Sequence, residues 1–378
     1  MRHIRSTAAL VFVLCAAQLG AQTVLDVWIG TSRSKLSKGV YHATLNTQNG
    51  RMTDPELAAE IEGPGFLAMH PDRSTLYALG KLGGKDVIAA YRIEGKEGKR
   101  ALKPLNSAET GDGGSAHLCV DKTARTLVSA QYGGGSVSVY ALNKDGSIRE
   151  RTQVIEHSGP VPSEDRRQRA PHPHWSGFSP DNRFVFVPDL GLNRVIIYKL
   201  DAAASRLTPH GHTDVHPGAG PRHMKFHVNG KWAYLLNEFD LTVTVFDYDA
   251  GKGTLTAKQT VAAVPKAEYE KEKARSGSEI RVHPGGRFVY SANRGHDTIT
   301  AYEVNQTTGK LTVIERENVR GATPRNFNLD PGGRWLLAGG QASHSLASFE
   351  VDQQSGELTF NQHAVHVPSP ICVLFQPE

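Results

Sequence analysis

Cysteine is scarce in this chain, with three in 378 residues, and aromatic residues make up only 7%. So few thiols cannot build a disulfide scaffold. A strong charge of one sign is missing too: 43 Lys and Arg stand against 38 Asp and Glu, which gives no general attraction to nucleic acid. The longest apolar stretch, Ala8 to Ala17, is too short to cross a bilayer. Heptads, low-complexity tracts and linker-like segments do not occur, so neither a coiled coil nor a string of domains is indicated. A Gly-x-Ser-x-Gly elbow is also absent, which argues against acyl-enzyme chemistry on a serine.

What the chain does have is a repeat. An apolar stretch, a Pro/Asp/Gly/Asn turn and a second apolar stretch ending in a polar pair recur six times: Phe66 to Tyr77, His117 to Gln131, Trp175 to Asp189, His223 to Glu238, Ile280 to Arg294 and Asn326 to Gln341. Anchoring each turn at Pro71, Lys122, Pro180, Val228, Pro284, Pro331 and Pro377 gives intervals of 46 to 58 residues. That period belongs to a four-stranded propeller blade. The seventh copy, after Ile371 to Phe375, ends with one strand. Val24 to Gly30 and Gly39 to Leu45 read as the second and third strands of the same blade. Joining the two termini in one blade removes the open sheet edges. The expected architecture is therefore an all-β, seven-bladed β-propeller of four-stranded antiparallel blades, residues 22–378 forming one domain. A two-sheet all-β protein of similar strand count is the alternative. Cys119 and Cys372 fall on innermost strands of different blades and are expected to be free, buried thiols.

Residues 1–21 read differently. Arg2 and Arg5 precede the apolar run, and Ala17-Gln-Leu-Gly-Ala21 follows it, the pattern of a secretory signal peptide. The expectation is a periplasmic or secreted protein with no membrane attachment after cleavage. Removing Arg2 and Arg5 leaves 41 basic against 38 acidic residues.

In a propeller the first strand of each blade lines the channel, and the second returns antiparallel to it. The residue entering strand one and the residue leaving strand two thus share one channel mouth. Six positions before the anchors stand Gly65, Ala116, His174, Arg222, Ser278, Arg325 and Ile371. Ten positions after them stand Lys81, Tyr132, Leu190, Glu238, Arg294 and Gln341. Three guanidiniums, a carboxylate and an imidazole meeting at one mouth suit an anionic ligand, because Arg forks match carboxylate or phosphate oxygens. The bland reading is an ion network that only closes the ring. Gln168 and Arg169, in the loop leading to His174, are expected to overhang the same mouth. His172 and His223 are expected to point away from it. His210, His212 and His216 lack ligand-spaced partners, so no metal and no cofactor is expected.

Several segments together carry a family resemblance: Gln131-Tyr-Gly-Gly-Gly-Ser136, Pro171-His-Pro-His-Trp175, Pro188-Asp-Leu-Gly191, Gly218-Ala-Gly-Pro-Arg-His-Met224, Asn237-Glu238, Ser291-Ala-Asn-Arg294, Gly321-Ala-Thr-Pro-Arg-Asn-Phe327 and Gly340-Gln341. They resemble the lactonase family of seven-bladed propellers, which includes bacterial 6-phosphogluconolactonase and the fungal carboxy-muconate lactonizing enzyme. The resemblance implies hydrolysis of a sugar-derived lactone, with His174, Arg222, Glu238 and Arg294 as working residues and Arg325, Gln341, Arg169 and Gln168 as substrate-binding candidates. Glu238 is read as the water-activating base and His174 as the acid, an assignment the sequence leaves exchangeable. Asn193 departs from the family, which often has an acid there, and is expected to alter a rim contact. Two rivals stay open: a non-catalytic exported propeller that binds a sugar acid or a protein, and a cyclase acting on a muconate-like diacid. The partner in the main reading is a small anionic lactone or sugar acid; oligomeric state is not legible.

Overall fold

A computed structural model describes residues 24–160, 166–272 and 275–376. The proposed signal peptide and the anchor Pro377 lie outside these residues. The described residues form seven four-stranded antiparallel sheets arranged as a propeller. In the seventh blade the inner strand Pro370–Gln376 pairs with Val24–Thr31, which continues to Gly39–Asn46 and Glu56–Glu60. The ring is thus closed by strands from both ends of the chain, as the repeat predicts. Cys119 and Cys372 are free thiols on inner strands of different blades; Cys372 is buried as expected, whereas Cys119 is half-buried.

Sequence pattern follows position within a blade. Middle strands are covered on both faces by neighbouring blades, so Trp232–Asn237 is buried at all six positions and reads as a continuous apolar run. Outer strands such as Arg206–Asp214 are mostly exposed. Blades are also stapled by repeated side-chain hydrogen bonds. Tyr77, Tyr234 and Tyr290 donate their hydroxyls to the carbonyls of Gly146, Gly309 and Gly356 in the next blade, at 2.6, 3.1 and 2.9 Å. Nearer the axis, His227 and His283 meet the carbonyls of Gly286 and Gly333 at 2.7 and 2.9 Å. Buried Tyr and His thus keep their polar ends satisfied while their rings fill the seams.

One irregularity sets up the site. Five inner strands slip register at the column six positions before the anchor: between Ser115 and His117, Pro221 and His223, Gly277 and Ile280, Pro324 and Asn326, and Pro370 and Cys372. A bulge inserts an extra residue and re-aims its side chain. It breaks the strict alternation that would send His223 away from Arg222. Both residues line the channel, which corrects the expectation for His223.

Candidate active site

Glu238 is the hub of the mouth. It leaves strand Trp232–Asn237, and its backbone is fixed from two blades: its N–H donates to Gly220 O at 2.7 Å, and its carbonyl accepts from Gly277 N–H at 2.9 Å. Gly220 has φ +65°, and a Cβ there would sit 2.7 Å from the Phe239 ring, so only glycine fits this turn comfortably. The preceding Asn237 ties down the hairpin by donating to Thr242 Oγ1 at 2.8 Å and Thr244 Oγ1 at 2.9 Å. Asn293 repeats the clamp with Thr298 and Thr300, at 3.1 and 2.9 Å, and holds Arg294 in the equivalent place one blade on.

The Glu238 carboxylate is buried among cations. Oε2 accepts from Arg222 Nε at 2.8 Å and lies 3.9 Å from His174 Nε2. Oε1 accepts from Arg167 Nη1 at 2.5 Å and pairs with Arg294 Nη2 at 3.2 Å. Burial alone would raise its pKa, but Arg294 and Arg222, aided by His174 and Arg167, hold it well below the usual carboxylate range. Burial and the nearby Arg222 push His174 well below the ordinary imidazole value, only partly offset by Glu238. His174 is therefore neutral at pH 7, and its Nδ1 is buried without a hydrogen-bond partner among the described residues.

Arg222 lies behind Glu238. It is 2% exposed and also bonds the Ser278 carbonyl; burial and Arg294 lower its pKa to about 9. It braces the carboxylate from below. Arg325 differs: among the described residues it has no hydrogen-bond or ion-pair partner, yet it lines the pocket with Arg167, Arg294, Tyr132, His174 and Glu238. Burial and the charge of Arg294 bring its pKa down to about 10, so it stays cationic. This pocket is about 280 Å³.

The channel mouth thus gathers His174, Arg222, Glu238, Arg294 and Arg325. Three other candidates fall elsewhere. Gln168 is buried, but its amide donates to Leu190 O and Asn193 Oδ1 at 3.1 and 2.9 Å; it braces the loop and does not line the pocket. Arg169 is exposed and outside the lining. Gln341 reaches Ser32 Oγ at 3.3 Å, near the seventh blade, and is also outside it. The loop that carries Gln168 and Arg169 does overhang the mouth, through Arg167, which stacks 4.1 Å over Phe239 as well as pairing with Glu238.

Arg167 and Tyr132 are the residues that sequence reasoning missed. Tyr132 occupies the same repeat column as Glu238 and Arg294, so a signal existed. Arg167 lies in the 3-10 turn Arg166–Gln168, outside the repeat and among neighbouring arginines, and had none. Asn193 accepts from Gln168 and from Gly220 N–H while donating to His216 O, at 2.9, 2.9 and 3.0 Å. A carboxylate could not donate that last bond. Its role is to join the loop to the Gly220 turn.

Comparison with known proteins decides the kinship. The family described as "Lactonase, 7-bladed beta-propeller" matches residues 26–375. The chain belongs to this lactonase family. It is 36% identical over 289 residues to the 6-phosphogluconolactonase of Bacillus subtilis, covering 76% of this chain and 80% of the relative. Among solved structures, the periplasmic gluconolactonase PpgL of Pseudomonas aeruginosa superposes with a TM-score of 0.86 at 29% identity, covering 93% of this chain and 99% of that one. A Lactobacillus plantarum protein superposes equally well, with the same TM-score, identity and coverage. Within this lactonase fold, the charged mouth stands where the repeat columns of the sequence converge.

Proposed function

We propose that this lactonase-family protein hydrolyses a sugar-derived lactone at the cationic mouth, without a metal, after export to the periplasm or beyond. The Arg325 guanidinium, without a hydrogen-bond or ion-pair partner among the described residues, stands beside the Glu238–His174 pair and carries this reading. Four guanidiniums face one carboxylate there, an excess that suits an anion and opposes a metal cation. The names of the Bacillus and Pseudomonas relatives support the lactone class, and the Pseudomonas protein supports the location.

The electrostatics favour exchanging the two proton-transfer roles. Glu238 has both oxygens engaged and is too weak a base to draw a proton from water. His174 is neutral and 3.9 Å from a carboxylate that steadies it once protonated. In this scheme His174 removes a proton from water as the oxygen attacks the lactone carbonyl. Arg294 and Arg325 neutralise the oxyanion, and the imidazolium returns its proton to the departing ring oxygen. One water is consumed, and the product is a hydroxy acid that ionises in solution.

The test is hydrolysis of glucono-δ-lactone and its 6-phosphate by wild type and Glu238→Gln. Wild type is expected to exceed the buffer rate on at least one, and Glu238→Gln to lose about a hundredfold or more in kcat/KM. Rates equal to the buffer blank for both proteins would instead favour a binding propeller. Lactone formation from a muconate-type diacid without hydrolysis would favour the cyclase.

A further inference from the structure

The channel has a second mouth, and it is also built for an anion. Phe66, His117 and His223 fill the hub between the two ends, with ring centroids 4.1, 5.7 and 6.1 Å apart. Below this plug the inner strands run out through Val120, Phe226 and Val282. There they surround a cavity of about 440 Å³ whose walls include Leu118, Phe178, Trp175 and Leu374. An adjoining lobe of about 340 Å³ lies beyond. Lys225 and Arg281 line both lobes, so the two cations stand between them near the ring axis.

Both cations are held at long range: Arg281 donates to Phe327 O and to Glu279, each at 3.4 Å, and the Lys225 ammonium makes no hydrogen bond among the described residues. Lys225 Nζ lies 3.9 Å from Glu279 Oε1, and Arg281 Nη2 lies 3.4 Å from Oε2. The close bonds of Glu279 go elsewhere: to His223 Nδ1 at 3.1 Å, to its neighbour Ile280 N–H at 3.0 Å and to the Asn326 amide. Two further acids are hydrogen-bonded by neutral donors, which fix them in place and leave their charge. Asp121 accepts from Thr123, Arg125, Thr126 and Asn182, and Asp330 from the backbone of Gly332 and Trp335. Burial and the neighbouring Arg281 lower the Lys225 pKa to about 8, with Glu279 opposing them. Lys225 also sits 4.9 Å from the Trp175 ring, leaving an aromatic surface beside the charge.

We propose that this opposite mouth is a second binding site, separate from the lactone pocket, for a small monoanion joining a carboxylate to an apolar or aromatic body. Lys122, Lys225 and Arg281 line the two lobes, with Asp330 in the wall and Glu279 behind it, which leaves a single positive charge to be matched. The walls supply area for an apolar group, and a cavity of this size holds a small molecule.

Calorimetric titration of the folded protein with benzoate tests this. Wild type is expected to bind benzoate saturably. Lys225→Met and Arg281→Met are each expected to raise Kd by about tenfold or more, and Lys225→Arg to stay near wild type. Arg325→Met, at the other mouth, is expected to leave Kd within about twofold. Circular dichroism melts identify variants that fail to fold, and two independent cation variants keep the test decisive. No saturable benzoate binding, unchanged affinity in folded Lys225→Met and Arg281→Met, or loss of binding in Arg325→Met would overturn the proposal. Tighter binding of inorganic phosphate than of benzoate would overturn it too, since the apolar body would then contribute nothing.

Discussion

Arg325 carries a positive charge into the pocket with no group to pair it among the described residues, whereas Arg222 is wedged behind Glu238 and bonded on both sides. Residues of one type in one repeat column can therefore differ in role. Arg325→Met should raise KM for the lactone about tenfold or more with a smaller change in kcat, the signature of lost ground-state binding; an unchanged KM would remove Arg325 from substrate contact. Arg222→Met should instead impair folding or kcat, because it leaves the buried carboxylate short of a partner. Repeat columns made His174, Arg222, Glu238, Arg294 and Arg325 legible because blade position is a property of spacing. Arg167 was not legible, since its loop has no period to fix which of its side chains reaches inward. Proton-transfer roles were not legible either, because they depend on burial and on distances between groups remote in sequence.

Elements place these side chains through two devices, the inner-strand bulge and the Asn–Thr clamp. The bulge could not be read from alternation, which assumes an unbroken ladder and sends His223 outward. The clamp is visible in sequence only afterwards, as Asn237 with Thr242 and Thr244, and Asn293 with Thr298 and Thr300. Asn237→Ala gives up both hydroxyl bonds. It should cost about 1–3 kcal/mol of stability and lower kcat/KM by loosening Glu238. Thermal melts and initial rates on the same sample check this. Wild-type activity in Asn237→Ala would show that the hairpin needs no clamp to hold Glu238.

At the scale of the molecule, the ring presses titratable groups into a buried hub. His117, His174 and His223 are all pushed well below the ordinary imidazole pKa, each chiefly by burial. In the unfolded chain they take up protons below about pH 6.5, while the folded protein resists doing so. The unfolded state then binds more protons, and stability falls as pH drops below that value. Above it the contribution is level. The decline should reach about 1.4 kcal/mol per pH unit for each histidine. Melting temperatures at pH 7, 6 and 5 are expected to fall stepwise; a flat series would mean the three rings are protonated in the folded state. Much of the histidine content has this structural meaning, with His227 and His283 serving as inter-blade staples.

The central claim is that the ring brings His174 to Glu238 as a neutral base in a cationic, anion-receptive mouth. The pH dependence of kcat/KM for glucono-δ-lactone hydrolysis, in wild type and His174→Ala, tests it most directly. Wild type should hold its rate through pH 6.5 and lose it only at lower pH, as His174 protonates. His174→Ala should run about a hundredfold or more slower, without that acid limb. A His174→Ala enzyme with the wild-type rate and profile would contradict the account.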